Sequence, residues 1–208
     1  MRDLSLHQAA TAAATNYQGA HEMTKHQEAL AAAVADLGKR ELPLGSNTGE
    51  FVISCQRATW LGGTGWPWCR GATLKWRKQA GDKPGDGSAG AWDALNRAKK
   101  RGEALTPAEW AKVVPGDEVV FNIGSGHVAL VESVNSTAVT SIGGNESDGV
   151  RRGTRPLSYV RGFIAWPELG VQAGGKRPRF QVVGSVSGTR KLVVGGKTLP
   201  LPGKDKVT

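Results

Sequence analysis

Residues 66–80 read WPWCRGATLKWRKQA, and the place of the cysteine in this stretch decides how the chain is read. Counted from Cys69, residues Ala72, Thr73, Trp76 and Ala80 recur at the three-to-four spacing of one helical face. The pattern predicts a helix that begins at Cys69 and carries it on the buried stripe. A helix start sets unpaired backbone N–H groups and the positive end of the macrodipole beside the sulfur, which favours thiolate and can hold an oxyanion. Cys69 is therefore read as a nucleophile. Cys55, inside the apolar run FVISC, has no such setting and is read as structural. Two cysteines make no disulfide framework, and neither CxxC spacing nor Cys/His clustering points to zinc, so free thiols, no metal and no cofactor are expected.

Upstream of this stretch, Pro43, Gly45, Ser46, Asn47 and Gly49 mark an irregular loop, and LGGTG at 61–65 leads into the tryptophans. Residues 3–37 are Ala-rich and free of proline, with Ala29, Ala33, Val34 and Leu37 at helical spacing, so one or two helices are expected before Gly38. His7, His21 and His26 in this segment are read as surface residues; His21 and His26 stand five apart and do not share a helical face.

Downstream, GDKPGDGSAG at 81–90 is loop, and the sequence AWDALNRAKKRGEAL predicts a short helix ending near Gly102. Pro115, Gly116 and Asp117 make a turn ahead of a strand at 118–121. Further strands are expected at 127–134, 138–142 and 162–166. Helices first and antiparallel strands afterwards indicate an α+β domain. The expected division is a helical segment at 1–37, the main domain at 38–168, and a basic linker and tail at 169–208 with weak β-like pieces at 180–186 and 191–194. The tail has too small an apolar set to fold alone.

A thiol nucleophile needs a base, and His127, in GSGHVALV, is the histidine that follows Cys69 in the chain. Glycines before a histidine that opens a strand leave its ring accessible at the sheet edge. The next strand ends in Gly143-Gly144-Asn145-Glu146-Ser147. Asn145 is the first choice to orient the imidazole, with Glu146 and Asp148 in reserve. Asp117 is read as a turn residue that accepts from nearby backbone N–H groups. Trp66 and Trp68 stand just before the cysteine and are candidates to flank its cleft and bind substrate.

The succession Pro67-Trp68-Cys69 at a helix start, Pro115-Gly116-Asp117 before an apolar strand, Gly126-His127-Val128 opening the next, and Gly143-Gly144-Asn145 after it resembles the CHAP and NlpC-type cysteine amidohydrolases and peptidases. The likeness in order and spacing covers residues 37–166. It implies a papain-like α+β domain with N-terminal helices packed on an antiparallel β-sheet. It also implies a triad of Cys69, His127 and Asn145, and hydrolysis of amide bonds in bacterial peptidoglycan. The chain departs from the usual pattern at Arg70 and Gly71, where small apolar residues commonly follow the cysteine.

The formal net charge is +9, which implies attraction to polyanions such as an anionic cell wall. No stretch approaches the roughly 20 apolar residues of a membrane helix, and the start of the chain lacks the apolar core of a signal peptide. With the basic charge and a linker after the domain, this resembles bacteriophage endolysins, which wait in the host cytoplasm until a separate protein opens the membrane. A monomer is expected. The basic residues are dispersed and no zinc-finger, RRM or KH pattern accompanies them, so no specific nucleic-acid partner is expected. The rival reading is a non-catalytic wall-binding or phage structural module that kept the fold and lost the chemistry.

Overall fold

The computed structural model describes residues 23–166, together with the backbone of residues 191–194 and 197–200. Four helices come first: α1 (Lys25–Ala35), α2 (Glu50–Gln56), α3 (Cys69–Gln79) and α4 (Ala91–Arg101). Strands β1 (Ala104–Leu105), β2 (Glu118–Phe121), β3 (His127–Val134), β4 (Ala138–Gly143), β5 (Arg151–Pro156) and β6 (Val160–Ile164) form one antiparallel sheet in the order β1-β6-β2-β3-β4-β5. The α+β architecture is the expected one. A separate antiparallel pair joins β7 (Lys191–Val194) to β8 (Lys197–Pro200). The piece expected at 191–194 is a strand, and the one at 180–186 lies outside the described residues.

Alternation along the strands divides the core. Leu130 and Ile142 face Trp68, Ala72 and Trp76 of the α3 region, and Val120, Val128 and Ile164 face Ala94, Leu95 and Ala98 of α4. On the opposite face, Val119, Phe121, Ala129, Val131 and Phe163 pack beneath Trp110 and Leu157 from two short 3₁₀ turns, Pro107–Lys112 and Leu157–Tyr159.

Local signals explain the helix ends. Thr24 caps α1 by accepting the Gln27 N–H at 3.3 Å, while the Gln27 side chain accepts the Thr24 N–H at 2.9 Å. Gly102, left-handed at φ 72, closes α4 where the sequence places its end, after the basic Lys99, Lys100 and Arg101.

Two expectations about the N-terminal segment are corrected. The boundary at 37/38 cuts through one core, because Ala29 and Ala33 of α1 are fully buried in the cluster that holds Trp68, Trp76 and Trp166. His26 is not a surface residue. It is 3% exposed, lies on the same face as Ala29 and Ala33, stacks on Trp166 at 4.1 Å between ring centroids, and sets Nε2 3.3 Å from Asp117 Oδ1. The Ala stripe had marked this face as apolar, and His26 stands one turn ahead of it. His7 and His21 lie outside the described residues. Asp117 accepts the Val114 N–H at 3.0 Å, as a turn aspartate should.

The departure at Arg70 and Gly71 has a structural reason. A Cβ on Gly71 would stand 2.5 Å from the Cys55 carbonyl oxygen and 2.8 Å from its carbon, so α3 crosses the end of α2 backbone to backbone. Neither partner is a flexible side chain that can move aside. Gly71→Ala is expected to destabilise the fold by about 1–3 kcal/mol, seen as a lower denaturant midpoint; a midpoint equal to that of the parent would show that the two helices part without cost.

Candidate active site

Cys69 is the first residue of α3 and is 7% exposed. Trp68 occupies the N-cap position without a capping side-chain hydrogen bond, which leaves the first N–H groups of the helix to the sulfur and whatever approaches it. The backbone N–H groups of Arg70 and Val128 both donate to the Cys69 sulfur.

His127 opens β3, and its ring lies parallel to Phe121 on the paired strand, with centroids 6.1 Å apart. Gly126, at φ 103, lies against the indole of Trp92, where a Cβ would come within 2.5 Å. Gly143 leaves space for the imidazole, since a Cβ there would stand 2.9 Å from His127 Nε2. His127 hydrogen-bonds the Cys69 thiol. Its Nε2 lies 2.8 Å from Glu146 Oε1, an ion-pair contact set off the axis of the ring N–H, so Nδ1 is the nitrogen left for the sulfur.

The structure brings Cys69 and His127 together as the sequence reading expects, but it puts Glu146, the reserve, in the third place. Asn145 is turned away, its amide donating to Asn47 Oδ1 at 3.4 Å. The reason is the turn after β4. Pleat alternation holds only to Gly143, and Asn145, Ser147 and Asp148 then take left-handed φ values of 58°, 47° and 60°. Such a run is rare for residues with a Cβ and persists only where the surroundings impose it. Here Glu41 N–H donates to Asp148 O at 2.9 Å and Val150 N–H to Lys39 O at 2.8 Å, which sews the turn to residues 38–41. Asp148 has its backbone in this seam.

Gly144 explains the paired glycines: a Cβ there would meet Ala72 and Trp68 at 2.5 Å. That contact also corrects the assignment of Trp68 as substrate-binding. Trp68 is fully buried, donates Nε1–H to Glu41 Oε1 at 2.8 Å, and meets Phe51 edge-on. Trp66 keeps partial exposure, its indole N–H donating to Gly62 O at 2.9 Å. In the same loop Trp60, not singled out from the sequence, is 65% exposed.

Behind the cysteine, Arg70 is buried and paired. Its Nη1 bonds Glu118 Oε1 of β2, and its Nη2 stands 3.6 Å from Asp86 Oδ2. Arg77, two turns further along the same face of α3, reaches Glu118 Oε2 at 3.5 Å and Asp82 at 2.7 Å. These pairs tie the nucleophile helix to the sheet.

A family model described as the CHAP domain matches residues 58–145. Residues 58–145 are thus of CHAP type. CHAP domains are typically cysteine hydrolases or amidases, of a family linked to peptidoglycan. The matched span takes in Cys69, His127 and Asn145, while Glu146 and β5 lie just past it. Searches of the curated proteins and of the solved structures found no match.

Within the CHAP domain, burial alone would push the Cys69 thiol up, but the His127 hydrogen bond and charge and the Val128 and Arg70 N–H groups outweigh it and hold the thiol below its ordinary range. His127 would be pushed down by burial, yet its bonds and charge contacts with Cys69 and Glu146 raise it to about 9. Each partner thus favours the charged form of the other, the thiolate beside an imidazolium. Cys55 is the opposite case, raised to about 12 by burial. Alkylation by iodoacetamide is expected to strike Cys69 at pH values well below the roughly 8.5 of a free thiol, with Cys55 untouched in the folded protein. Peptide mapping of the label checks this, and a Cys69 that reacts only above pH 8 would mean that no ion pair forms.

Proposed function

We propose that the domain is a cysteine amidase or endopeptidase that cuts an amide bond of bacterial peptidoglycan, with Cys69 as nucleophile, His127 as base and then acid, and Glu146 as the group that orients His127. The observation that carries this reading is the arrangement of Cys69 at an uncapped helix start, His127 on its sulfur and Glu146 on the far ring nitrogen. The thiolate attacks the amide carbonyl, and N–H groups of the α3 start, where the side chain of Arg70 is anchored elsewhere, face the developing oxyanion. The C–N bond breaks as His127 gives its proton to the leaving amine. Water then attacks the thioester, losing a proton to His127, and the carboxylate product departs while Cys69 is restored.

The partner on this reading is the wall itself. A net charge of +9 draws the protein to anionic wall polymers, in keeping with a phage endolysin held in the host cytoplasm until lysis. Trp66 and the exposed Trp60 offer aromatic faces at the loop before the nucleophile.

Incubation with peptidoglycan from several bacteria, followed by mass spectrometry of the soluble products, tests the proposal. New amine and carboxyl termini that vanish after iodoacetamide treatment support it and name the bond. Binding to the wall with no fragment released would make the domain a non-catalytic module. The rate is expected to fall above pH about 9, where the imidazolium that serves the leaving amine loses its proton.

A further inference from the structure

Glu146 has two carboxylate oxygens with separate tasks. Oε1 meets His127 at 2.8 Å, and Oε2 accepts from Arg155 Nη2 at 2.6 Å. Arg155 stands on β5, the edge strand beyond the family match, and its guanidinium lies 5.0 Å from the centre of the Phe121 ring. Phe121 is the same ring that His127 stacks on. Arg155 thus meets both supports of the imidazole, the carboxylate behind its Nε2 and the aromatic plate beneath it. Its Nη1 is buried without a hydrogen-bond partner among the described residues, so this placement carries a cost that surface exposure would have removed.

We infer that Arg155 is a positioning residue for the proposed hydrolysis, fixing the Glu146 carboxylate so that it holds the His127 ring on Cys69. The inference rests on the cysteine-hydrolase reading above. The charged groups around the ring are Cys69 from α3 and Glu146 from the turn after β4, with Arg155 of β5 on the far side of Glu146. Arg155 has no direct bearing on the sulfur, whose partners are His127, Val128 and Arg70. Its influence on the thiol must therefore pass through Glu146. Free of Arg155, the Glu146 carboxylate can rotate off the ring, and misplacements of this size cost up to about a hundredfold in rate.

The full chain and iodoacetamide test this without any wall substrate. In Arg155→Met, the pH midpoint of Cys69 alkylation is expected to rise, and labelling at pH 6 to slow by about tenfold. Arg155→Lys keeps the charge but loses the planar fork, and its curve is expected to fall between. Glu146→Gln should shift the midpoint at least as far, and adding Arg155→Met to it should shift it no further. An Arg155→Met curve that overlays the parent, or effects that simply add in the double variant, would overturn the inference; if the Met variant does not fold, Arg155→Gln is held to the same outcomes. Turnover of peptidoglycan by the same proteins separates two failures. Shifted alkylation with no turnover by the parent sinks the wall-hydrolase reading and leaves Arg155 in its place. Turnover with unshifted alkylation sinks the inference about Arg155.

Discussion

Peptidoglycan hydrolysis is expected to fall at least about ten-thousandfold in Cys69→Ala and by a similar factor in His127→Ala, because a nucleophile and its base act as one unit and removal of either stops covalent catalysis. Glu146→Gln keeps the shape of the carboxylate and removes its charge. The His127 ring then loses the ion-pair contact at 2.8 Å, and the imidazolium loses one of the two partners that raise it to about 9. A loss on the order of a hundredfold or more in kcat is expected, with the thiolate form of Cys69 less populated at neutral pH. Asn145→Gly is the contrasting variant, since glycine accepts the left-handed φ of 58° and only the amide is removed. It is expected to stay within severalfold of the parent. Initial rates on purified wall fragments decide the matter: if Asn145→Gly is the crippled variant and Glu146→Gln the active one, the third residue is Asn145 after all.

The second large effect concerns stability. Glu118 is fully buried between two guanidiniums, Arg70 bonded to Oε1 and Arg77 3.5 Å from Oε2. Glu118→Ala leaves both cations in the interior with only Asp86 and Asp82 for company, and breaking a buried pair from one side costs about 3–5 kcal/mol. Against a typical total of roughly 5–15 kcal/mol, that is enough to leave much of the protein unfolded at 37 °C. Burial opposes ionisation of Glu118, but the charges of Arg70 and Arg77 and the hydrogen bonds to it prevail, and its carboxyl titrates below the ordinary range. A depressed folded-state value means the contribution is complete above about pH 4.3, the unfolded value, and drains away as pH falls through the folded one. Glu118→Ala should therefore lose stability at neutral pH and show a flatter acid limb than the parent. Urea titrations across pH 3–7 measure both; parallel curves would mean that Glu118 is no source of the acid sensitivity.

Periodicity carried the sequence reading where one face of an element meets one core. The helix starting at Cys69 was legible because Ala72, Thr73, Trp76 and Ala80 are all buried on one stripe, and β2 and β3 because their apolar residues fill both faces of an interior strand. β5 escapes such a reading for the converse reason. RRGTRP is an edge strand whose side chains are partly or fully exposed, so nothing apolar marks it, and it is built around ion pairs such as Arg152 with Glu132 at 2.6 Å. Glu146 rather than Asn145 stands beside His127 because strand parity ends at Gly143, in a turn where left-handed residues break it. Trp68 stands beside cleft residues in sequence, but Glu41 and Gly144, which decide its burial, are distant in the chain. The last sheet strand, expected at 162–166, runs Val160–Ile164, and Trp166 lies beyond its end. It leaves the sheet instead and donates Nε1–H to Gly116 O at 2.8 Å.

That strand, β6, comes last among the six of the sheet and is nonetheless interior, lying between β1 and β2. Until it has been made, β2 has an open edge, and Val119 and Val120 lack the strand they pair with. A ribosome therefore delivers Cys69 well before His127, which opens β3, and before the strand that closes the sheet. A chain cut short before β6 is therefore expected to keep Cys69 an ordinary thiol.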